Sequence, residues 1–70
     1  MRIKINFKPI DLKLVYHVQE REDIKALLTR IELDLDMKLD HLEIDEFLLL
    51  PSGLAKNLLR EDDLVTAGIP

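Results

Sequence analysis

The sequence predicts a two-layer α+β domain in which a mixed sheet of four to five strands packs on one helix. Three observations predict it. Two runs of alternating apolar and polar residues open the chain, one amphipathic helical stripe follows, and several short apolar runs close it. Hairpins that flank a single long helix leave few other compact layer arrangements. We expect residues 1–70 to form one domain, because a chain this short has room for a single core.

The first two elements are predicted strands, since apolar and polar residues alternate along both. In MRIKINFK every odd position is apolar, and the next run repeats the pattern with Leu12, Leu14, Tyr16 and Val18. Pro9, Ile10 and Asp11 separate the two runs. We therefore expect a β-hairpin with an apolar buried face and a basic outer face.

The third element is a predicted helix. Ile24, Leu27, Leu28 and Ile31 recur at the spacing of one helical face. Asp23 precedes them and is a suitable N-cap, because its carboxylate can accept from the free amides of the first turn. The stretch IELDLDMKL then alternates strictly, so we expect the helix to end near residues 33–35.

The remaining elements are short. We expect a strand at Leu42–Ile44, a turn at Asp45 and Glu46, a strand in FLLL, a break at residues 51–53, a helical turn in LAKNLL and a last strand near Leu64–Ala67. Strand alternation predicts that two side chains of FLLL enter the core, and Leu58 and Leu59 are expected to cover the end of the sheet. The order β-β-α-β-β is that of a β-grasp, whose last strand returns beside the first.

Two stretches of the first half resemble ubiquitin. MRIKI is similar to its first strand, and VQEREDIKALLTRI is similar to its passage from the second strand into the helix. The resemblance implies the ubiquitin-like β-grasp fold. The stretch TAGIP has no terminal diglycine, so we do not expect a conjugated modifier.

The second half resembles a narrower family. In LEIDEFLLLPSGLAKNLLREDDLV, residues 48–51, 58–60 and 62–65 are similar to the closing segment of the N-terminal ubiquitin-like domain of the coilin family. The resemblance implies a scaffold of Cajal bodies, a nuclear location, and a domain that works by self-association through its surfaces. It implies no active site.

The composition of the chain disfavours an enzymatic or metal-binding function. The chain has no cysteine and only two histidines, His17 and His41, which lack the spacing of a metal motif. The acidic residues do not have the spacing of a calcium-binding loop, and Ser52 has no histidine base nearby. We therefore expect no enzyme activity, metal, cofactor or small-molecule ligand. No apolar run is long enough to span a membrane, so no membrane partner is expected.

Charge divides the chain into a basic and an acidic half. The first thirty residues carry seven Lys or Arg against four acids, and the rest carries three against ten, for a net charge of −4. The predicted basic face comprises Arg2, Lys4, Lys13 and His17. The predicted acidic edge comprises Asp45, Glu46, Glu61, Asp62 and Asp63. Overall negative charge and the absence of outward aromatic residues disfavour nucleic acid as a partner.

These charges predict a protein–protein interaction domain, with self-association as the leading function. A basic face that meets an acidic edge makes a heterologous contact, which does not close and can build chains. Two alternatives remain open. One is a monomeric ubiquitin-like adaptor that binds another protein through the outer sheet face, and the other is an engineered domain without a native ligand.

Overall fold

The described part of the chain forms a five-stranded sheet on which one main helix packs. The computed structural model describes residues 1–8 and 10–70, so Pro9, which the sequence places between the first two strands, lies outside the described residues. The elements are β1 (Arg2–Phe7), β2 (Leu12–His17), α1 (Ile24–Leu35), β3 (His41–Ile44), β4 (Phe47–Leu48), α2 (Ala55–Leu58) and β5 (Leu64–Gly68). The predicted α+β architecture is confirmed.

The strand order across the sheet is β2-β1-β5-β3-β4. Strand β1 pairs antiparallel with β2 and parallel with β5, while β3 pairs antiparallel with both β5 and β4. The last strand therefore lies beside the first, as the predicted β-grasp order requires. The two hairpins end on opposite edges, so β2 and β4 are the edge strands of the sheet.

The alternation in the opening hairpin decides which face is buried. Ile3, Ile5 and Phe7 of β1 are at most 1% exposed, and β2 alternates between half-buried and exposed side chains. Because successive strand residues point to opposite faces, the polar residues of both strands share the outer face. Both predicted strands are confirmed.

Helix α1 covers the inner face of the sheet with its predicted apolar stripe. Ile24, Leu27 and Ile31 are buried, and Leu28 is half-buried. The side chain of Asp23 accepts a hydrogen bond from the Ala26 amide at 2.7 Å, which satisfies one of the amides that lack an intrahelical acceptor. The predicted N-cap is thus confirmed.

Residues 51–53, which follow β4, are hydrogen-bonded to the start of this helix. The amide of Ile24 donates to the Gly53 carbonyl at 2.9 Å, and that of Lys25 donates to the Pro51 carbonyl at 3.0 Å. In return the Ala55 amide donates to the carbonyl of Glu22 at 2.9 Å. The break therefore supplies acceptors for helical amides that would otherwise have none.

The prediction that two side chains of FLLL enter the core is wrong. Phe47, Leu48 and Leu50 are 76%, 58% and 65% exposed, and only Leu49 packs partly against the core. The reason is position, because β4 is a two-residue edge strand outside the area that a single helix covers. Leu58 is likewise 43% exposed.

Leu59, the other leucine expected to cover the sheet, is buried at 3% exposure. None of the helices in the described part of the chain is long and apolar enough to cross a membrane.

Candidate functional site

The predicted basic residues share one face of the sheet. Arg2 lies opposite His17, and Lys13 lies opposite Asn6, in the antiparallel register of β1 and β2. Arg2, Lys4, Lys13 and His17 are all exposed. The sheet therefore brings the four side chains together on its outer surface, which we call the basic face.

Apolar side chains interrupt this basic face. Lys4 lies between Val15 on β2 and Leu64 on β5, and these two apolar residues are 65% and 59% exposed. Together with Lys13 they line a shallow notch of about 220 Å3. A partner with an apolar side chain and nearby carboxylates would match this combination.

The predicted acidic residues lie at one end of the sheet but form two separate groups. Glu61, Asp62 and Asp63 immediately precede β5, while Asp45 and Glu46 form the turn between β3 and β4. Strand β5 begins beside β1, and β3 runs antiparallel to β5 and ends there. The two groups therefore adjoin neighbouring strands, β5 and β3, at the same end of the sheet.

The carboxylates of the first acidic group are hydrogen-bonded within the same chain, and that of Asp62 is bound to the basic face. The Arg2 guanidinium donates to both carboxylate oxygens of Asp62, at 2.8 and 3.1 Å, and the Arg2 amide donates to Glu61 at 2.8 Å. The hydrogen bond from Arg2 holds the pKa of Asp62 below its ordinary value. Asp63 accepts from the Arg60 amide at 2.8 Å. These carboxylates shape the start of β5.

The second acidic group makes no such contacts within the described part of the chain. The carboxylates of Asp45 and Glu46 make no hydrogen bond or ion pair with residues 1–8 or 10–70. Their φ angles are 50° and 73°, so the backbone of both residues is left-handed. A two-residue hairpin loop with this geometry is a type I′ turn, and it projects both side chains beyond the sheet.

Exposed apolar residues follow this turn directly. Phe47, Leu48 and Leu50 have the exposures given above, and we call them, with Asp45 and Glu46, the β4 edge. Large exposed apolar groups that adjoin charged residues are typical of interaction surfaces. The sequence pattern predicted the acidic charges at this turn, but it did not predict that Phe47, Leu48 and Leu50 would all be exposed beside them.

An ion pair that the sequence did not predict holds a buried carboxylate and joins α1 to the opening hairpin. Arg30 donates to both oxygens of Glu22, each at 2.7 Å, and to the His17 carbonyl at 2.6 Å. The Glu22 side chain is only 5% exposed. Burial acts to raise the pKa of Glu22, but hydrogen bonds from Arg30 and from the Gln19 amide outweigh it and lower the pKa.

The same guanidinium lies over the ring of Tyr16, 4.7 Å from the ring centroid, and the Tyr16 hydroxyl donates to Asp34. Burial and this hydrogen bond raise the pKa of Tyr16 to about 12. The hydroxyl therefore stays protonated at neutral pH. This group of side chains fixes the helix against β2.

His41 has carboxylates on both sides. Its Nδ1 lies 2.9 Å from Asp40, and its Nε2 lies 3.5 Å from Glu43, which Lys8 also contacts at 3.4 Å. The contact with Asp40, helped by Glu43, raises the pKa of His41 above 6.5. A Cβ on Gly68 would meet the imidazole ring, so His41 packs directly over this glycine. In the described part of the chain no three acidic or histidine side chains converge to hold a metal ion.

Comparisons with known proteins support the fold. No protein-family model matches the chain, and no curated protein matches it. A solved structure described as molecular mimicry of SUMO that promotes DNA repair is similar, with a TM-score of 0.83 and 15% sequence identity, over 96% of this chain and 88% of that one. At this identity the likeness concerns the fold alone. The chain therefore has the ubiquitin-like β-grasp fold that its sequence predicts.

Proposed function

We propose that this chain is a protein-interaction domain that associates with further copies of itself in a head-to-tail manner. The observation that carries the proposal is the placement of charge: the basic face belongs to the β1–β2 hairpin, while Asp45 and Glu46 lie at the opposite edge of the sheet. Two complementary surfaces on opposite edges are what a heterologous, non-closing contact requires.

Within each surface, only some of the predicted residues are available. Arg2 is paired with Asp62 in its own chain, so Lys4, Lys13 and His17 are left to attract a partner. On the other side, Asp45 and Glu46 are the available carboxylates. We assign the contact to these five residues, and we assign Glu61, Asp62 and Asp63 to the structure of the chain itself.

Charge alone makes this contact weak. Exposed ion pairs contribute about 0 to 1 kcal/mol each, and salt near physiological strength screens charges over about 8 Å. Several pairs must therefore act together with apolar contact. Val15 on one surface and Leu48 on the other are 65% and 58% exposed and can supply it.

Light scattering tests the proposal directly. Apparent mass is measured over a series of protein concentrations, at about 0.02 M and about 0.5 M salt. We expect the mass to rise with concentration at low salt and to fall toward that of one chain at high salt. The double variant Lys4→Glu, Lys13→Glu should remain monomeric at low salt.

A charge-matched control separates the contact from net charge. Lys38→Glu with Lys56→Glu changes the net charge equally but alters exposed lysines outside the sheet, and this variant should assemble like the original chain. A mass that stays constant at one chain under all conditions would contradict self-association.

The resemblance to the coilin family extends the proposal. A self-associating domain of this kind would serve a nuclear-body scaffold, and the chain would act in the nucleus. Fusion of the chain to a fluorescent protein should then give nuclear foci, and the Lys4→Glu, Lys13→Glu variant should give diffuse fluorescence.

A second candidate function is that of a monomeric adaptor. The notch between Val15, Lys4 and Leu64 favours it, because a single acidic and apolar segment of another protein could bind there. In that case the chain stays monomeric, and Lys4→Glu with Lys13→Glu abolishes capture of a distinct partner.

A further inference from the structure

We propose that the β4 edge of one copy pairs with the β2 edge of the next, so that the sheets of successive copies join into one continuous sheet. This inference rests on the proposed self-association and specifies how the copies touch. It assigns a second copy of this chain as the occupant of the exposed Phe47, Leu48 and Leu50.

Strand β2 has free main-chain groups along its outer edge. The Val18 amide donates to the Met1 carbonyl at 2.7 Å, and the Met1 amine donates to the Val18 carbonyl at 3.3 Å. Since hydrogen-bonded pairs alternate in an antiparallel ladder, the N–H and C=O groups of Lys13, Val15 and His17 point away from β1. The His17 carbonyl already accepts a hydrogen bond from the Arg30 guanidinium. Lys13 and Val15 are therefore the residues whose main chain can accept another strand.

Strand β4 presents a matching edge. The Leu49 amide donates to the Leu42 carbonyl at 2.9 Å, and Leu48 lies opposite Glu43 in the register. By the same alternation, the N–H and C=O of Leu48 point away from β3. A strand as short as β4 offers few main-chain hydrogen bonds, so side chains must supply much of the contact.

The side chains favour pairing between unlike edges. Val15 is 65% exposed and lies opposite Lys4, with Lys13 two residues before it. Leu48 is 58% exposed and follows directly on Asp45, Glu46 and Phe47. Two β2 edges would bring lysines together, and two β4 edges would bring carboxylates together, so like pairing is disfavoured. A β2 edge against a β4 edge joins apolar groups and opposite charges.

Proline substitutions test this pairing, because proline removes one amide donor and blocks extension of a ladder. Val15→Pro and Leu48→Pro each remove an amide that points outward, so the pairing within the chain is retained. We expect each variant alone to scatter light as a single chain. An equimolar mixture should form a two-chain complex and grow no further, because one variant keeps the β4 edge and the other keeps the β2 edge.

Cysteine cross-linking gives an independent measurement. The chain has no cysteine, so Val15→Cys mixed with Leu48→Cys can form a disulfide only between copies. We expect mixed oxidation to enrich the heterodimer several-fold over either homodimer. Leu33→Cys, on the exposed face of α1, is the matched control and should show no such enrichment with Val15→Cys.

The outcomes separate this inference from the proposed function. If the original chain assembles but both proline variants assemble equally well, or if their mixture stays monomeric, the edge contact is wrong and self-association stands. If the original chain is monomeric under all conditions, both the edge contact and the proposed self-association are contradicted. Circular dichroism shows whether each proline variant is folded, and where one is not, absence of the Val15–Leu48 cross-link overturns the edge contact.

Discussion

Glu22 is the only buried charged residue in the described part of the chain, and Arg30 is what makes its burial tolerable. The two hydrogen bonds from Arg30 compensate the carboxylate for lost water. We expect Arg30→Met to lower the free energy of unfolding by about 2 to 4 kcal/mol, because it leaves a buried charge without its partner. Urea denaturation at pH 7 measures this loss.

Lys25→Met is the control, since Lys25 is an exposed cation on the same helix and its loss should change stability little. A loss for Arg30→Met no larger than that of the control would contradict a structural role of the ion pair.

The lowered pKa of Glu22 also fixes the sign of a pH effect. The unfolded chain, in which Glu22 titrates near 4.5, binds a proton more readily than the folded chain does. The stabilisation by Glu22 is therefore complete above that pH and is lost as the pH falls through the lower folded value. Accordingly, the stability difference between the original chain and Glu22→Gln should shrink at acidic pH. An unchanged difference between about pH 3 and 7 would argue against the ion pair as its source.

Among the elements, the β3–β4 turn holds two non-glycine residues in the left-handed backbone conformation. Glu46 has a φ of 73°, a backbone conformation that disfavours residues with a Cβ, and glycine is preferred there in type I′ turns. We expect Glu46→Gly to raise the free energy of unfolding by about 0.5 to 1 kcal/mol, since relief of strain exceeds the added entropy of the unfolded chain. Thermal denaturation measures the change.

Glu20→Gly serves as the comparison, because Glu20 is exposed and is not among the residues with positive φ. Its substitution should slightly destabilise the fold. Equal effects of Glu46→Gly and Glu20→Gly on the free energy of unfolding would show that the turn stores no strain.

The side of the sheet to which a strand residue points was predictable from the sequence, but whether the helix covers that residue was not. Phe47 pairs with Ile44 and so shares its side of the sheet, as alternation predicts. Ile44 packs partly against the core while Phe47 is 76% exposed, because the helix does not reach the edge strand. Period-two patterns identify the side on which a residue lies, whereas burial depends on which other element covers that side.

The same distinction applies to the candidate site. The shared face of Lys4 and Lys13 follows from alternation alone. The pairing of Arg2 with Asp62 joins residues 60 positions apart, and no local spacing reveals it. Long-range contacts of this kind depend on the parallel placement of β5 beside β1, and they bind Glu61 and Asp62 of the predicted acidic edge to Arg2 of their own chain.

For the molecule as a whole, the separation of charge across the sheet predicts a complementation experiment. Asp45→Lys with Glu46→Lys should abolish assembly, as Lys4→Glu with Lys13→Glu should, because each replaces attraction by repulsion at every contact. Mixed in equal amounts, the two variants should assemble again, since each contact that joins unlike chains pairs opposite charges.

Light scattering of the mixture at low salt measures this recovery. If the mixture remains monomeric although the original chain assembles, the contact does not lie between these two groups of residues.

Every non-glycine residue with positive φ in the described ranges, 1–8 and 10–70, is acidic: Asp36, Asp45, Glu46 and Asp62. At each of them glycine would fit the backbone better, but it would remove a carboxylate. Three of the four belong to the predicted acidic edge. A screen of random variants for heat resistance should therefore accumulate glycine at these positions and lose negative charge, while a screen for assembly should retain Asp45 and Glu46. Selection for heat resistance would therefore remove the carboxylates of Asp45 and Glu46, which selection for assembly would retain.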